Sequence, residues 1–170
     1  MRFVEHTEAT IELACDTDTP RTRWTVRALA YPQICAAKEE AGYCSVRGLT
    51  LHSLYHLRGV PRDKWSAEER EAYPEHVVAG LPAEEQLSAD DRAALLSARM
   101  WLLRYSYCVA VQGLVAIDDE QLADTRAARA KLDAIPSRLQ AQAYGELSNK
   151  IADLGNGDAE KKEPSESQRG

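Results

Sequence analysis

Apolar and polar positions follow two periods along this chain. In "ATIELAC" the residues Ile11, Leu13 and Cys15 alternate with other positions, and in "RWTVRALAY" Trp24, Val26 and Ala28 alternate with Thr25, Arg27 and Leu29. A period of two is that of a strand, whose successive side chains leave opposite faces. Between them "DTDTPRT" has turn composition: Asp and Thr side chains bond the local backbone, and Pro20 fixes its own φ. A β-hairpin is expected, with "MRFVEH" available as a third strand.

From Pro32 onward the period is helical. "PQICAAKEEAG" puts Pro32 near a first helical position and Gly42 just past the end, and "LTLHSLYHLRG" takes Thr50 as its cap and Gly59 as its stop. Ser66 and Glu69 stand at capping-box spacing, in a charged region that Pro61, Pro74 and Pro82 break into loops and one short helix. Ser88, followed by Asp90 and Asp91, then opens a long helix. Leu96, Met100, Leu103, Tyr107, Ala110, Leu114 and Ile117 recur along it at steps of three and four, while Leu95, Trp101, Leu102, Val109 and Val115 make most of its other sides apolar. A helix apolar nearly all round belongs in a core, and at about 28 residues it would span on the order of 40 Å. A weakly striped surface helix is expected over 118–134, ended by Pro136. The last helix sets Leu139, Ala143, Leu147, Ile151 and Leu154 on one face and stops at Gly155.

These elements predict an α+β, mainly α fold: a short N-terminal β-hairpin followed by a helical domain around one long central helix. The expected organisation is a single domain over 1–155, with the hairpin in 1–31 and the helices in 32–155. The polar segment 156–170 is expected to be a disordered tail.

Composition narrows the function classes. The most apolar stretch, "MWLLRYSYCVAVQGLVAI", is eighteen residues long and is interrupted by Arg104, Ser106 and Gln112. It falls short of the roughly 20 apolar residues of a membrane span. A net charge of −6 leaves no cationic surplus for phosphate backbones or anionic lipid, so no nucleic acid and no membrane partner is expected. The first residues have neither a secretory nor a transit pattern, and a cytoplasmic protein is expected. In that setting Cys15, Cys35, Cys44 and Cys108 are expected as reduced, structural thiols.

Chemistry is sparsely announced. His52 and His56, at i and i+4, share a helical face, and with Cys35 and Cys44 they have the residue types of a zinc tetrahedron. Eight residues separate the two thiols, however, where zinc modules use two to four. The competing reading is an ordinary helix with imidazoles at the border of its packed face, and no metal is expected. Asp16 and Asp18 suit a turn rather than a calcium loop, and Asp118, Asp119 and Glu120 suit the start of a helix. Phosphate-loop, serine-hydrolase, zincin and dinucleotide fingerprints are missing. The expectation is no enzyme, no catalytic residue and no cofactor.

The order of parts adds a resemblance. "TRWTVRALAYPQICAAKEEA" resembles the opening of tail assembly chaperones of long-tailed, siphovirus-like bacteriophages, where a strand of the type x-V-R-x-L leads straight into a short helix. "LDAIPSRLQAQAYGELSNKIADLGNG" is similar to the closing helix of that family, and the helix carrying Trp101 is similar to its central helix. The chain departs from the pattern in its charged stretch 58–85 and its segment 119–134. The resemblance implies a non-enzymatic protein of the host cytoplasm that binds the tape measure protein, keeps it soluble and helps recruit the tail tube protein. The residues expected to bind a partner are Trp101, Tyr105, Leu139, Leu147, Ile151 and Leu154, as aromatic anchors and a periodic apolar face. The competing reading places all six in the chain's own core. A structural head or tail completion protein of a phage particle and a small zinc module are the alternative functions, and the oligomeric state stays open. The resemblance further implies a ribosomal frameshift near the end of the gene, for which "EKKE" in the tail can be encoded as a purine run.

Overall fold

The computed structural model describes residues 7–160, with side chains through residue 156. The expected strand in "MRFVEH" and the tail from 161 on, which holds most of "EKKE", lie outside the described residues. The chain is α+β and mainly helical, with an N-terminal antiparallel hairpin and a long central helix. It divides into two compact units, one made of the residues up to Ala41 and from Leu103 on, the other of Gly42–Leu102.

The first unit is built on the hairpin. Strands β1 (Glu8–Glu12) and β2 (Arg23–Arg27) pair antiparallel with Thr10 opposite Thr25, and the two hydroxyls are 2.8 Å apart. In the connecting loop Asp16 does the work expected of it: its carboxylate accepts from the backbone N–H of Asp18 at 2.9 Å and of Thr22 at 2.8 Å. Those two bonds hold its pKa below the usual carboxylate range. Helix α1 (Tyr31–Ala41) follows and ends before Gly42, whose φ of +83° suits a residue without Cβ.

After α1 the chain forms the second unit, and it returns in the C-terminal half of the central helix α5 (Ala89–Gly113). Two further strands then complete the sheet. Strands β3 (Leu114–Ile117) and β4 (Glu120–Gln121) extend it in the order β1-β2-β3-β4, every pair antiparallel. The expected hairpin, seen as β1 and β2, is therefore half of a sheet that has four strands among the described residues. This corrects two expectations. The central helix ends at Gly113, so Leu114 and Ile117 are strand residues, and the helix expected over 118–134 is only α6 (Thr125–Asp133). Asp118 and Asp119 have φ of 47° and 70°, the left-handed pair that a tight hairpin turn needs and that Asp tolerates. The turn is clasped to β2: the Asp118 carboxylate accepts from the Arg23 N–H at 2.8 Å, and the Arg23 guanidinium pairs with Asp119. Asp124 caps α6 through the Ala127 N–H at 2.8 Å. Helix α7 (Ser137–Glu160) continues through Gly155, which was expected to end it.

Packing follows from these elements. Trp24 and Val26 of β2, Leu114 and Ile117 of β3, Cys108–Val111 of α5, Ala128 and Leu132 of α6, and Ala143, Tyr144, Leu147 and Ile151 of α7 make one buried cluster. Gly113 sits where the last helix crosses the sheet, and a side chain there would collide with Ile151.

The second unit consists of short helices against the N-terminal half of α5 (Ala89–Gly113). They are α2 (Val46–Arg58), α3 (Ala67–Ala72) and α4 (Glu75–Ala79). Helix α2 is capped by Ser45, five residues before the expected cap Thr50, with the Ser45 hydroxyl accepting from the Gly48 N–H at 3.1 Å. Gly48 then meets the backbone of Ala94: a Cβ there would lie 2.6 Å from the Ala94 carbonyl oxygen. The capping box of Ser66 and Glu69 forms as expected, and Ser88 accepts from the Asp91 N–H at 3.1 Å at the start of α5. A small cluster of Leu57, Trp65 and Val78 is the core of this unit, with Trp65 Nε1 donating to the Val60 carbonyl at 2.8 Å. Among the described residues no helix is long and apolar enough to cross a membrane.

Candidate functional site

The six residues expected to bind a partner do not make one exposed face. Leu147 and Ile151 are 0% and 2% exposed in the core of the first unit, and Leu154 is half-buried against that core. The periodic face of α7 is turned onto the sheet, which explains its regularity without a partner. Leu139 is half-buried at the edge of a cavity of about 320 Å³ in the same unit, with Leu13, Trp24, Ile135 and Ala143 beside it and Asp16, Lys131 and Arg138 also in its lining. Tyr105 is half-buried against the core, and that burial raises its hydroxyl pKa. Trp101, in the second unit, is half-buried and donates from Nε1 to the Gly42 carbonyl at 2.7 Å.

The expected metal constellation fares differently in its parts. His52 and His56 do share one helical face, their rings parallel within 4° and 6.4 Å apart. Burial, then the nearby His56 and Arg99, pushes the His52 pKa down. The Cys44 thiol lies 3.7 Å from the Ser45 carbonyl, and Cys35 belongs to α1 of the other unit. Among the described residues no group of three or more His, Cys, Asp or Glu is placed to hold a metal ion. All four cysteines are unbridged, and burial raises the thiols of Cys15 and Cys108. Tyr107, pushed up to about 12 by burial and by the bond its hydroxyl donates to Asp133 at 2.8 Å, is a packing residue.

The surface that does stand open was assigned to the core by the sequence pattern. Leu96 and Met100, the first two members of the periodic stripe on α5, are 60% and 56% exposed. In the second unit α5 buries Leu95 and Ala98 instead. The signal was Ala94 and Ala98 at i and i+4, small enough for a close helix crossing, with Gly48 as the matching small residue on α2. That crossing turns Leu96 and Met100 outward. Ala93 and Ser97, both exposed and small, flank them on one side. On the other side stand Arg92 and Arg99. Arg92 donates to the Glu85 and Leu87 carbonyls at 2.8 and 3.2 Å. Arg99 makes a two-point pair with Glu84 at 2.9 and 2.6 Å, which lowers the Glu84 pKa and raises that of Arg99.

This arrangement offers apolar contact edged by cationic hydrogen-bond donors. Compared with known proteins, the chain matches no family model, no curated protein and no solved structure.

Proposed function

We propose that this chain is a non-enzymatic tail assembly chaperone of a long-tailed bacteriophage, which works in the host cytoplasm by holding a helical part of the tape measure protein and bringing tail tube protein to it. The observation that carries the reading is the bare pair Leu96 and Met100 on the central helix. Apolar side chains one helical turn apart on a solvent face are what a second helix packs against, and a contiguous apolar surface rimmed by polar residues marks an interaction site. The order of strand, short helix, central helix and closing helix, on which the resemblance rests, supports the same reading.

The test is co-expression with the tape measure protein encoded by the same phage. Tape measure protein should stay in the supernatant with the wild-type chain and pellet without it, and the double variant Leu96→Glu, Met100→Glu should behave as if the chain were missing. Tape measure protein that pellets regardless would overturn the reading. Stoichiometric recovery of the chain in purified virions would favour a completion protein instead.

A further inference from the structure

We infer that His52 and His56 on α2 form a two-imidazole chelate for a divalent transition-metal ion, with the remaining coordination positions open to water or to a donor from outside the chain. No tetrahedron with Cys35 and Cys44 is formed among the described residues, but the histidine half of it stands. Residues four apart on a helix are neighbours, one turn above the other, and i, i+4 is the spacing at which two helical histidines hold one ion. Here the two rings are parallel within 4°, with centroids 6.4 Å apart. Among the described residues no hydrogen bond to the protein engages either imidazole, so their nitrogens are available to a ligand.

The helix presents the pair in a fixed place. Ser45 caps α2, and Gly48, one turn before His52, meets the backbone of Ala94. The backbone under both histidines is thus held before any ion arrives. His52 is half-buried and His56 exposed. One ring is held, and the other can turn to bring a nitrogen to the roughly 2 Å that a metal–imidazole bond requires. A ligand imidazole must be neutral, and burial, His56 and Arg99 already disfavour a proton on His52. The charge of Arg99 is offset by its two-point pair with Glu84, which lessens its repulsion of an incoming cation. Donor type selects the ion: imidazole suits zinc, nickel and copper, whereas magnesium and calcium require oxygen. Structural zinc centres close with four protein donors, and two leave the ion open.

The experiment titrates the full chain with Zn(II), Ni(II), Mn(II) and Mg(II) by isothermal calorimetry at about pH 7.5, where ordinary imidazoles are neutral, and repeats the thermal melt with each ion. Zn(II) and Ni(II) should bind at one ion per chain and raise the melting temperature. Mn(II) should bind more weakly and Mg(II) not at all. The ring signals of His52 and His56 should shift together on addition of Zn(II). His52→Gln and His56→Gln should each weaken binding at least about tenfold, the scale on which even an outer-shell partner of a metal acts, and should leave the metal-free melt in place. Cys35→Ser with Cys44→Ser, and His76→Gln, should keep wild-type binding. No saturable binding of Zn(II) or Ni(II) up to about 1 mM, the weak end of specific affinities, would overturn the inference. Binding kept by both histidine variants, or lost with the two cysteines or with His76, would place the ion elsewhere and overturn it as well. So would a Mg(II) response equal to that of Zn(II). None of these outcomes bears on what the Leu96 and Met100 face binds.

Discussion

The two units reach stability by different means. In the first, a four-stranded sheet, α1, α6, α7 and the C-terminal half of α5 close over a cluster that runs from Leu13 to Ile151 and includes Val26, Val111, Leu132 and Leu147 at 1% exposure or less. In the second, three side chains, Leu57, Trp65 and Val78, make the central cluster. Much of the remaining order there comes from local devices: the Ser45 cap, the Ser66 and Glu69 box, the Ser88 cap, and exposed ion pairs such as Arg62 with Glu75. Caps contribute about 1 kcal/mol each and exposed ion pairs about 0 to 1 kcal/mol, so such a unit has little stability to spare. It also carries Tyr43, Val46, Val77, Leu96 and Met100, all but Tyr31 of the exposed large apolar side chains among the described residues. Apolar surface is left open where the internal core is smallest, and that is the combination a partner can exploit.

The largest expected effect lies in the first unit. Leu147→Asp puts a carboxylate at a position with 0% exposure and should cost on the order of 4 kcal/mol, enough to abolish a cooperative thermal transition read by circular dichroism. A wild-type melt would show that α7 is not part of the core. Trp65→Ala in the second unit removes the bond to the Val60 carbonyl and the centre of the small cluster, for about 3 kcal/mol. Its effect should be local: amides of residues 42–102 should exchange faster, while those of β2 and α7 keep their protection. Equal loss of protection in both units would break the comparison. Gly48→Ala should cost about 2 kcal/mol by overpacking against Ala94, read as a lower melting temperature of the second unit alone.

The sequence was a good guide where one signal determined the outcome. The hairpin followed from strict alternation around a polar turn, the capping box of Ser66 and Glu69 from spacing, and the stop at Gly42 from a conformation that favours glycine. It misled where two structures share one pattern. "LVAI" continues an apolar helix as readily as it forms a buried strand, and only the Asp118–Asp119 turn and pairing with β2, a long-range event, decide for the strand. The phase of α5 is a similar case. Leu96 and Met100 continue the period of Leu103 and Tyr107, so the pattern assigns one face throughout. The close crossing of Gly48 with Ala94 gives the N-terminal half a different inward face, and that contact joins residues far apart in the chain. Of the two readings of the α7 face, Leu147 and Ile151 follow the one that places them in the core of the first unit.

The smallest predicted effect separates the units by pH. His52 is half-buried on α2, and desolvation, the stacked His56 and the Arg99 charge all disfavour its protonated form, so its pKa in the folded chain lies below the ordinary value near 6.5. The sign follows from linkage: the unfolded chain takes up this proton at a higher pH than the folded one. The stabilisation from a neutral His52 is therefore complete above about pH 6.5 and is lost as pH falls from there through the folded value. Asp16 and Glu84, also lowered, act in the same direction but only in the carboxylate range. Between pH 7 and 5 the imidazole effect should stand alone. Amide exchange, corrected for its intrinsic pH dependence, should show the second unit opening more readily at pH 5, with the first unit unchanged. His52→Gln should flatten that response, and His56→Gln should move the His52 ring titration upward by removing its neighbour's charge. A His52 ring that titrates at the ordinary value, or a pH response carried equally by both units, would mean that the α2 face is open to water and that the second unit is no more sensitive than the first.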